Sequence, residues 1–152
     1  MAAEHLKYET KDGVAVIKFD SPGVKVNTLS VPVFQEFKEA LSKAQSDPAV
    51  SSIVLISGKP ECFIAGADIA MLQNCQTAAE MKALSQSGQQ VLQAVADSPK
   101  PVVAAIMGSC LGGGLEVSVP NAMDMMLTGR NIRPDKAKKM GLVDQLVDEL
   151  GG

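Results

Sequence analysis

Histidine is almost missing from this chain: His5, near the start, is the only one in 152 residues. That excludes an internal Ser-His-Asp triad, a Cys-His pair and a His-rich metal site. There is no tryptophan, one tyrosine and four phenylalanines, too few for a base-stacking platform. Neither sign of charge dominates. The 14 Lys+Arg stand against 17 Asp+Glu, for a formal charge of -3, so no basic surplus exists to hold a nucleic-acid partner through its phosphates. The three cysteines, Cys62, Cys75 and Cys110, contain no CxxC pair. An odd, unpaired set argues for reduced thiols in an intracellular compartment, as small buried hydrophobes more than as nucleophiles. No apolar run approaches the ~20 residues of a membrane span. Residues 1–30 mix Lys7, Lys11, Lys18 and Lys25 with Glu4, Glu9, Asp12 and Asp20, so neither a transit peptide nor a signal peptide is visible.

What is present is a globular composition, 46% hydrophobic and 20% charged, read as one soluble domain over residues 1–152. Residues 6–11 and 14–19 predict two strands joined at Asp12-Gly13, a hairpin signal. Over 32–45 the spacing of Phe34, Phe37, Leu41 and Ala44 predicts an amphipathic helix. The run Ile53–Ile56 predicts a strand covered on both faces. Residues 77–97 predict a helix with Met81, Leu84, Val91, Leu92 and Val95 inward, stopped by Pro99 and Pro101. Val102–Ile106 predicts a second buried strand. Short helices follow at 121–128 and 134–140, closed by Gly129 and Gly141, and then a last strand over 142–147. The alternation makes the class α/β.

Two small-residue loops follow the buried strands: Phe63-Ile64-Ala65-Gly66-Ala67-Asp68, and Gly108-Ser109-Cys110-Leu111-Gly112-Gly113-Gly114-Leu115-Glu116. In α/β sheets ligands gather beyond the carboxyl ends of strands. Small side chains let a ligand approach backbone N–H groups, and two such donors converging on one point make an oxyanion hole. The second loop is not a Walker loop, having no Lys after Gly114, and it lacks the third glycine of GxGxxG. Taken alone it is equally a tight turn that lets a helix pack on a strand. Glu116, among Leu111, Leu115 and Val117, is either a surface anion at a helix start or a buried acid/base with a raised pKa. Asp68 fits a helix N-cap with no further role.

These two loops, FIAGADI and GSCLGGGLE, resemble the crotonase (enoyl-CoA hydratase/isomerase) superfamily. Val26-Asn27-Thr28-Leu29-Ser30 and the stretch from Leu127-Thr128-Gly129-Arg130 to Gly141-Leu142-Val143-Asp144 extend the likeness. Together they are similar to the hydratase region of mitochondrial trifunctional-enzyme alpha subunits. The resemblance implies a spiral of ββα units and an acyl-CoA thioester substrate, with no separate cofactor. It also implies fatty-acid β-oxidation in the mitochondrial matrix, beside a thiolase beta subunit or as a homo-oligomer. It makes the N–H groups of Ala67 and Gly113 the oxyanion hole. Glu116 becomes the catalytic glutamate that positions and deprotonates water. Lys25, Val26, Ala65, Asp68, Ile69 and Ala70 would line the CoA path. One departure is large. Glu116-Val117-Ser118-Val119-Pro120 runs straight into Asn121, where the family continues through two more strands to a second catalytic glutamate. The domain is thus expected to be a truncated crotonase unit, either a hydratase or a non-catalytic remnant that binds acyl-CoA or a partner. Arg130, Arg133, Lys136, Lys138 and Lys139 would meet CoA phosphates or form a solvated helix face. Met123, Met125 and Met126 would line an acyl groove or pack in the core.

Overall fold

The computed structural model describes residues 4–114 and 132–147. The chain opens with a hairpin, β1 (Leu6–Lys11) and β2 (Val14–Phe19). Asp12 and Gly13 turn it with φ of 51° and 80°, the positive pair that a two-residue hairpin loop requires. α1 (Val31–Ser46) follows, capped by Ser30, whose hydroxyl accepts the Val33 N–H, with a proline in its first turn. Next come β3 (Ser52–Ser57), the short β4 (Cys62–Ile64), α2 (Ile69–Gln73) and α3 (Ala78–Ala96). Thr77 and Glu80 close a reciprocal capping box on α3. β5 (Val102–Ala105), β6 (Ser109–Cys110) and α4 (Pro134–Lys139) complete the described elements.

One sheet has the order β1-β2-β3-β5, antiparallel at the hairpin and parallel beyond it. β4 and β6 form a second, parallel pair. A parallel neighbour needs a crossover, and α1 supplies it between β2 and β3. α1 buries Val33, Phe37, Leu41 and Ala44. They meet Ala15, Ile17 and Phe19 of β2 and Ile53 and Leu55 of β3 in one core. The Phe19 ring lies 5.3 Å from Phe37 and 6.2 Å from Phe63, centroid to centroid, spacings at which tilted aromatic pairs attract. The core therefore lies between α1 and the face of the sheet, and reaches Phe63 and Ile64 of β4. No described helix is long and apolar enough to cross a membrane.

Several expectations are corrected. Phe63 and Ile64 belong to β4, not to a loop, because the edge of β6 pairs with them. β3 alternates between buried and half-buried residues instead of being covered on both faces. β5 is shorter than expected and is not a buried strand, with Val103 55% exposed. In α3 only Val91 is buried, and Met81 is exposed, since no layer of the described residues covers the helix's first half. Phe34 of α1 is only half-buried, and Val33 takes its place inward. Residues 142–147 form no strand. Leu146 and Val147 stay exposed there, with no neighbouring strand among the described residues to complete their backbone hydrogen bonds. The helix expected at 121–128 lies outside the described residues.

Candidate functional site

The site is built where β4 and β6 end. Their parallel ladder pairs Cys62 with Ser109 and Ile64 with Cys110, and the Leu111 N–H extends it to the Ile64 carbonyl at 2.9 Å. The loops leaving these strands thus start side by side. Gly66 and Gly112 then turn with φ of 111° and 49°. A Cβ placed on Gly112 would lie 3.4 Å from the Gly66 Cα, so the two backbones touch there. Gly113 and Gly114 begin a helical turn. A side chain at Gly113 would reach Leu29 Cδ1 at 2.7 Å, and one at Gly114 would run into Ile64.

A third segment laces onto the first loop from the other side. The Ala65 N–H donates to the Asn27 carbonyl at 2.8 Å, the Leu29 N–H to Gly66 at 2.8 Å, and the Asp68 N–H to Leu29 at 3.0 Å. At the parallel bridge between Leu29 and Ala67 the N–H groups of Ala67 and Asp68 face opposite ways. Those of Ala65 and Asp68 are consumed, whereas Ala67, which is exposed, keeps its N–H out of the ladder. No acceptor among the described residues takes the N–H of Ala67 or of Gly113. Gly113 stands at a helix start, where N–H groups have no intrahelical partner and carry partial positive charge. The two donors therefore belong to adjacent loops whose backbones meet one residue earlier, at Gly66 and Gly112.

Asp68 is the N-cap of α2. Its Oδ1 accepts the Met71 N–H at 2.9 Å, and its Oδ2 accepts the Thr28 hydroxyl at 3.4 Å. Ile69, at 70% exposure, and Ala70 lie on the rim beyond it, and Ala65 is half-buried behind it. Lys25 and Val26, both exposed, occupy the loop before Asn27. The structure thus gathers Ala65, Ala67, Asp68, Ile69 and Ala70 on one arm and Gly113 on the other. Lys25 and Val26 are on the segment that braces the first arm. Glu116 lies outside the described residues, as do Arg130, Met123, Met125 and Met126. Arg133, Lys136, Lys138 and Lys139 of the basic cluster are all exposed. α2 also walls an open groove of about 460 Å³, whose lining includes Val31, Pro32, Met71, Cys75 and Leu84.

Composition and spacing overlooked one residue here. Asn27 is 1% exposed, and its carboxamide is fully engaged beneath the loops. Its Oδ1 accepts the Ser21 N–H at 3.1 Å. Its Nδ2 faces the Phe19 carbonyl and the Ser57 hydroxyl at 2.9 Å each, and the Phe63 carbonyl at 3.2 Å. The available signal was a lone amide in a short stretch that carries Val26 and Leu29.

Comparison with known proteins identifies the family and the fold. The enoyl-CoA hydratase/isomerase family model matches residues 9–121. The fatty acid oxidation complex subunit alpha of Shewanella putrefaciens is 40% identical over 178 residues, 91% of this chain and 25% of that protein. Its counterpart from Shewanella oneidensis is 40% identical over 179 residues, with the same coverage. The chain thus spans about a quarter of the length of these bacterial relatives. An alignment of 178 residues is longer than the 152 residues present, so part of the matched region has no counterpart here. Among solved structures, an enoyl-CoA hydratase/isomerase from Xanthobacter autotrophicus Py2 superposes with a TM-score of 0.86 at 21% identity. That superposition covers 97% of this chain and 68% of the other. With its two glycine loops set on this shared fold and most of its length matched by the family model, the chain belongs to the enoyl-CoA hydratase/isomerase, or crotonase, family.

Proposed function

We propose that this chain binds an acyl-CoA thioester with its carbonyl oxygen between the N–H groups of Ala67 and Gly113, as a hydratase-type domain of fatty-acid β-oxidation. The observation that carries this reading is the pair of unused N–H groups on loops that touch at Gly66 and Gly112. Adding water across a conjugated enoyl thioester puts hydroxide on the β-carbon and a proton on the α-carbon. In between, negative charge builds on the thioester oxygen. Two fixed donors meet that charge, each worth roughly 10²–10³ in rate where such donors have been removed. Glu116 is the residue assigned to deprotonating the water. Asp68 shapes the arm by capping α2, and Ile69, Ala70, Lys25 and Val26 form the rim along which CoA would lie.

The names of the relatives support the β-oxidation role. The mitochondrial matrix and a thiolase-type beta subunit, or self-association, as partner rest on the motif resemblance alone, and co-purification from matrix extracts tests them.

A second reading is favoured by the alignment's exceeding the chain: a protein that binds acyl-CoA with little or no turnover. Losing one of two proton-transfer groups costs roughly 10²–10⁴ in rate. One experiment separates the readings. The purified chain is mixed with crotonyl-CoA carrying a ¹³C thioester carbonyl. Loss of the conjugated enoyl absorbance reports hydration, and the carbonyl stretch reports polarisation. A lowered stretch with turnover supports the hydratase, and a lowered stretch without turnover supports the binder. An unshifted stretch at saturating ligand overturns both.

A further inference from the structure

We propose that Asn27 is a positioning residue that sets where the Ala67 N–H points, a role that rests on the reading of Ala67 as a thioester donor. The carboxamide has two N–H bonds and three oxygens in front of them: Phe19 O, Ser57 Oγ and Phe63 O. Phe19 closes β2, Ser57 closes β3, and Phe63 lies in β4. One side chain therefore ties the ends of two sheet strands to the strand that launches the loop. The amide cannot be turned over, because its oxygen would then face two carbonyl oxygens. Ser57 doubles the tie. Its hydroxyl donates to the Cys62 carbonyl at 2.6 Å and accepts from Asn27 Nδ2 and from the Lys59 N–H at 2.9 Å each. Consecutive carbonyls, those of Cys62 and Phe63, are thus held by one buried pair of side chains.

The main chain of Asn27 continues the same grip, since its carbonyl takes the Ala65 N–H. Between them these bonds fix the loop ahead of Gly66, and two residues after Asn27 the Leu29 N–H holds the Gly66 carbonyl at 2.8 Å. That carbonyl shares a planar peptide unit with the Ala67 N–H, so the direction of this N–H follows from the 27–29 segment that the Asn27 side chain anchors. None of these bonds reaches a ligand, so Asn27 acts through the loop.

The test compares the full chain with Asn27→Asp, nearly the same shape but without the N–H donors, and with the milder Ser57→Ala. In the ligand-free chains, hydrogen exchange is read amide by amide. Exchange at Leu29, Ala65 and Asp68 should rise by about tenfold or more, the equivalent of one buried hydrogen bond, while β1 and α1 keep their protection. A uniform rise across the domain would make Asn27 an ordinary core residue and overturn the proposal. So would no rise at 65–68. The second readout is the ¹³C carbonyl stretch of bound crotonyl-CoA. A stretch lowered in the unsubstituted chain but not in Asn27→Asp supports the proposal. Equal lowering in both overturns it and leaves the donor reading standing. No lowering in the unsubstituted chain overturns the donor reading, and this proposal with it. If Asn27→Asp does not fold, Ser57→Ala decides by the same criteria, with smaller changes at the same amides.

Discussion

Gly66 and Gly112, 46 positions apart in sequence, meet with so little room that a Cβ on Gly112 would lie 3.4 Å from the Gly66 Cα. Both backbones there have positive φ, which side-chain-bearing residues adopt at a cost of about 1–3 kcal/mol. Gly66→Ala and Gly112→Ala should each lower stability by that amount. Gly112→Ala should also press the loops apart, whereas a Cβ on Gly66 comes no closer than 3.6 Å to the Leu111 carbonyl oxygen and should leave their spacing unchanged; a displacement of about 1 Å at a reacting centre costs on the order of a hundredfold in rate. Thermal melting and the bound thioester's carbonyl stretch check the two effects. A Gly112→Ala chain that melts lower yet polarises the carbonyl fully would show that the contact serves packing alone.

The outer edge of β5 carries no strand among the described residues, and Val103 and Met107 are 55% and 43% exposed beside it. An open, apolar, parallel-type edge is a template for association. The purified chain should therefore self-associate as concentration rises. Val103→Lys should suppress this with a change in stability of about 0.5 kcal/mol or less, as for other exposed positions. Light scattering across a concentration series is the measurement. A monodisperse unsubstituted chain would show that the edge is protected.

Asp20 joins three parts of the fold. It accepts from Lys7 of β1 at 2.8 Å and from Lys59, after β3, at 3.0 Å. Hydrogen bonds from Lys7 and then from Lys59 hold its carboxyl below the usual aspartate range. The same bond raises the Lys7 ammonium above the usual lysine range. A depressed carboxyl adds stability above its unfolded pKa and loses it as pH falls through the folded one. The raised ammonium adds stability below its unfolded pKa and loses it as pH rises through the folded one. Melting temperature should therefore drop on the acid side below the ordinary aspartate range and again at strongly alkaline pH. Asp20→Asn should flatten both slopes. Because Lys7 is well exposed, the effect should shrink in high salt.

The Tyr8 hydroxyl is buried with no partner among the described residues, and burial, then the charge of Asp47, pushes its pKa up. An unpaired buried polar group costs about 1–3 kcal/mol. Tyr8→Phe removes it while keeping a ring beneath Lys43 Nζ, which sits 4.2 Å from the centroid. The variant should gain about 1 kcal/mol, seen as a higher denaturant midpoint with an unchanged slope. A loss of stability would mean that the hydroxyl is solvated.

Elements whose signals are local could be read without the structure. Asp12-Gly13 carries its own turn conformation, and the α1 periodicity puts Phe37, Leu41 and Ala44 on one face whatever it packs against. Asp68 caps α2 because its carboxylate reaches an N–H three residues on. Gly141, at φ 71°, follows the end of α4 in the left-handed form that glycine favours. The two glycine loops were likewise legible, since a close backbone approach needs small residues wherever it occurs. Pairing and burial were not. Cys62–Ile64 is a strand only because Ser109–Cys110 comes alongside it, and 142–147 is none because no edge among the described residues meets it. Half of α3 stays exposed because no layer of the described residues covers it, although its apolar spacing is sound. Asn27 looks unremarkable in one dimension. It becomes a hub because the ends of β2, β3 and β4 bring Phe19, Ser57 and Phe63 around a single amide. A hydrogen bond or a buried face needs its partner in place, and partners tens of residues apart in the chain meet only through the tertiary fold.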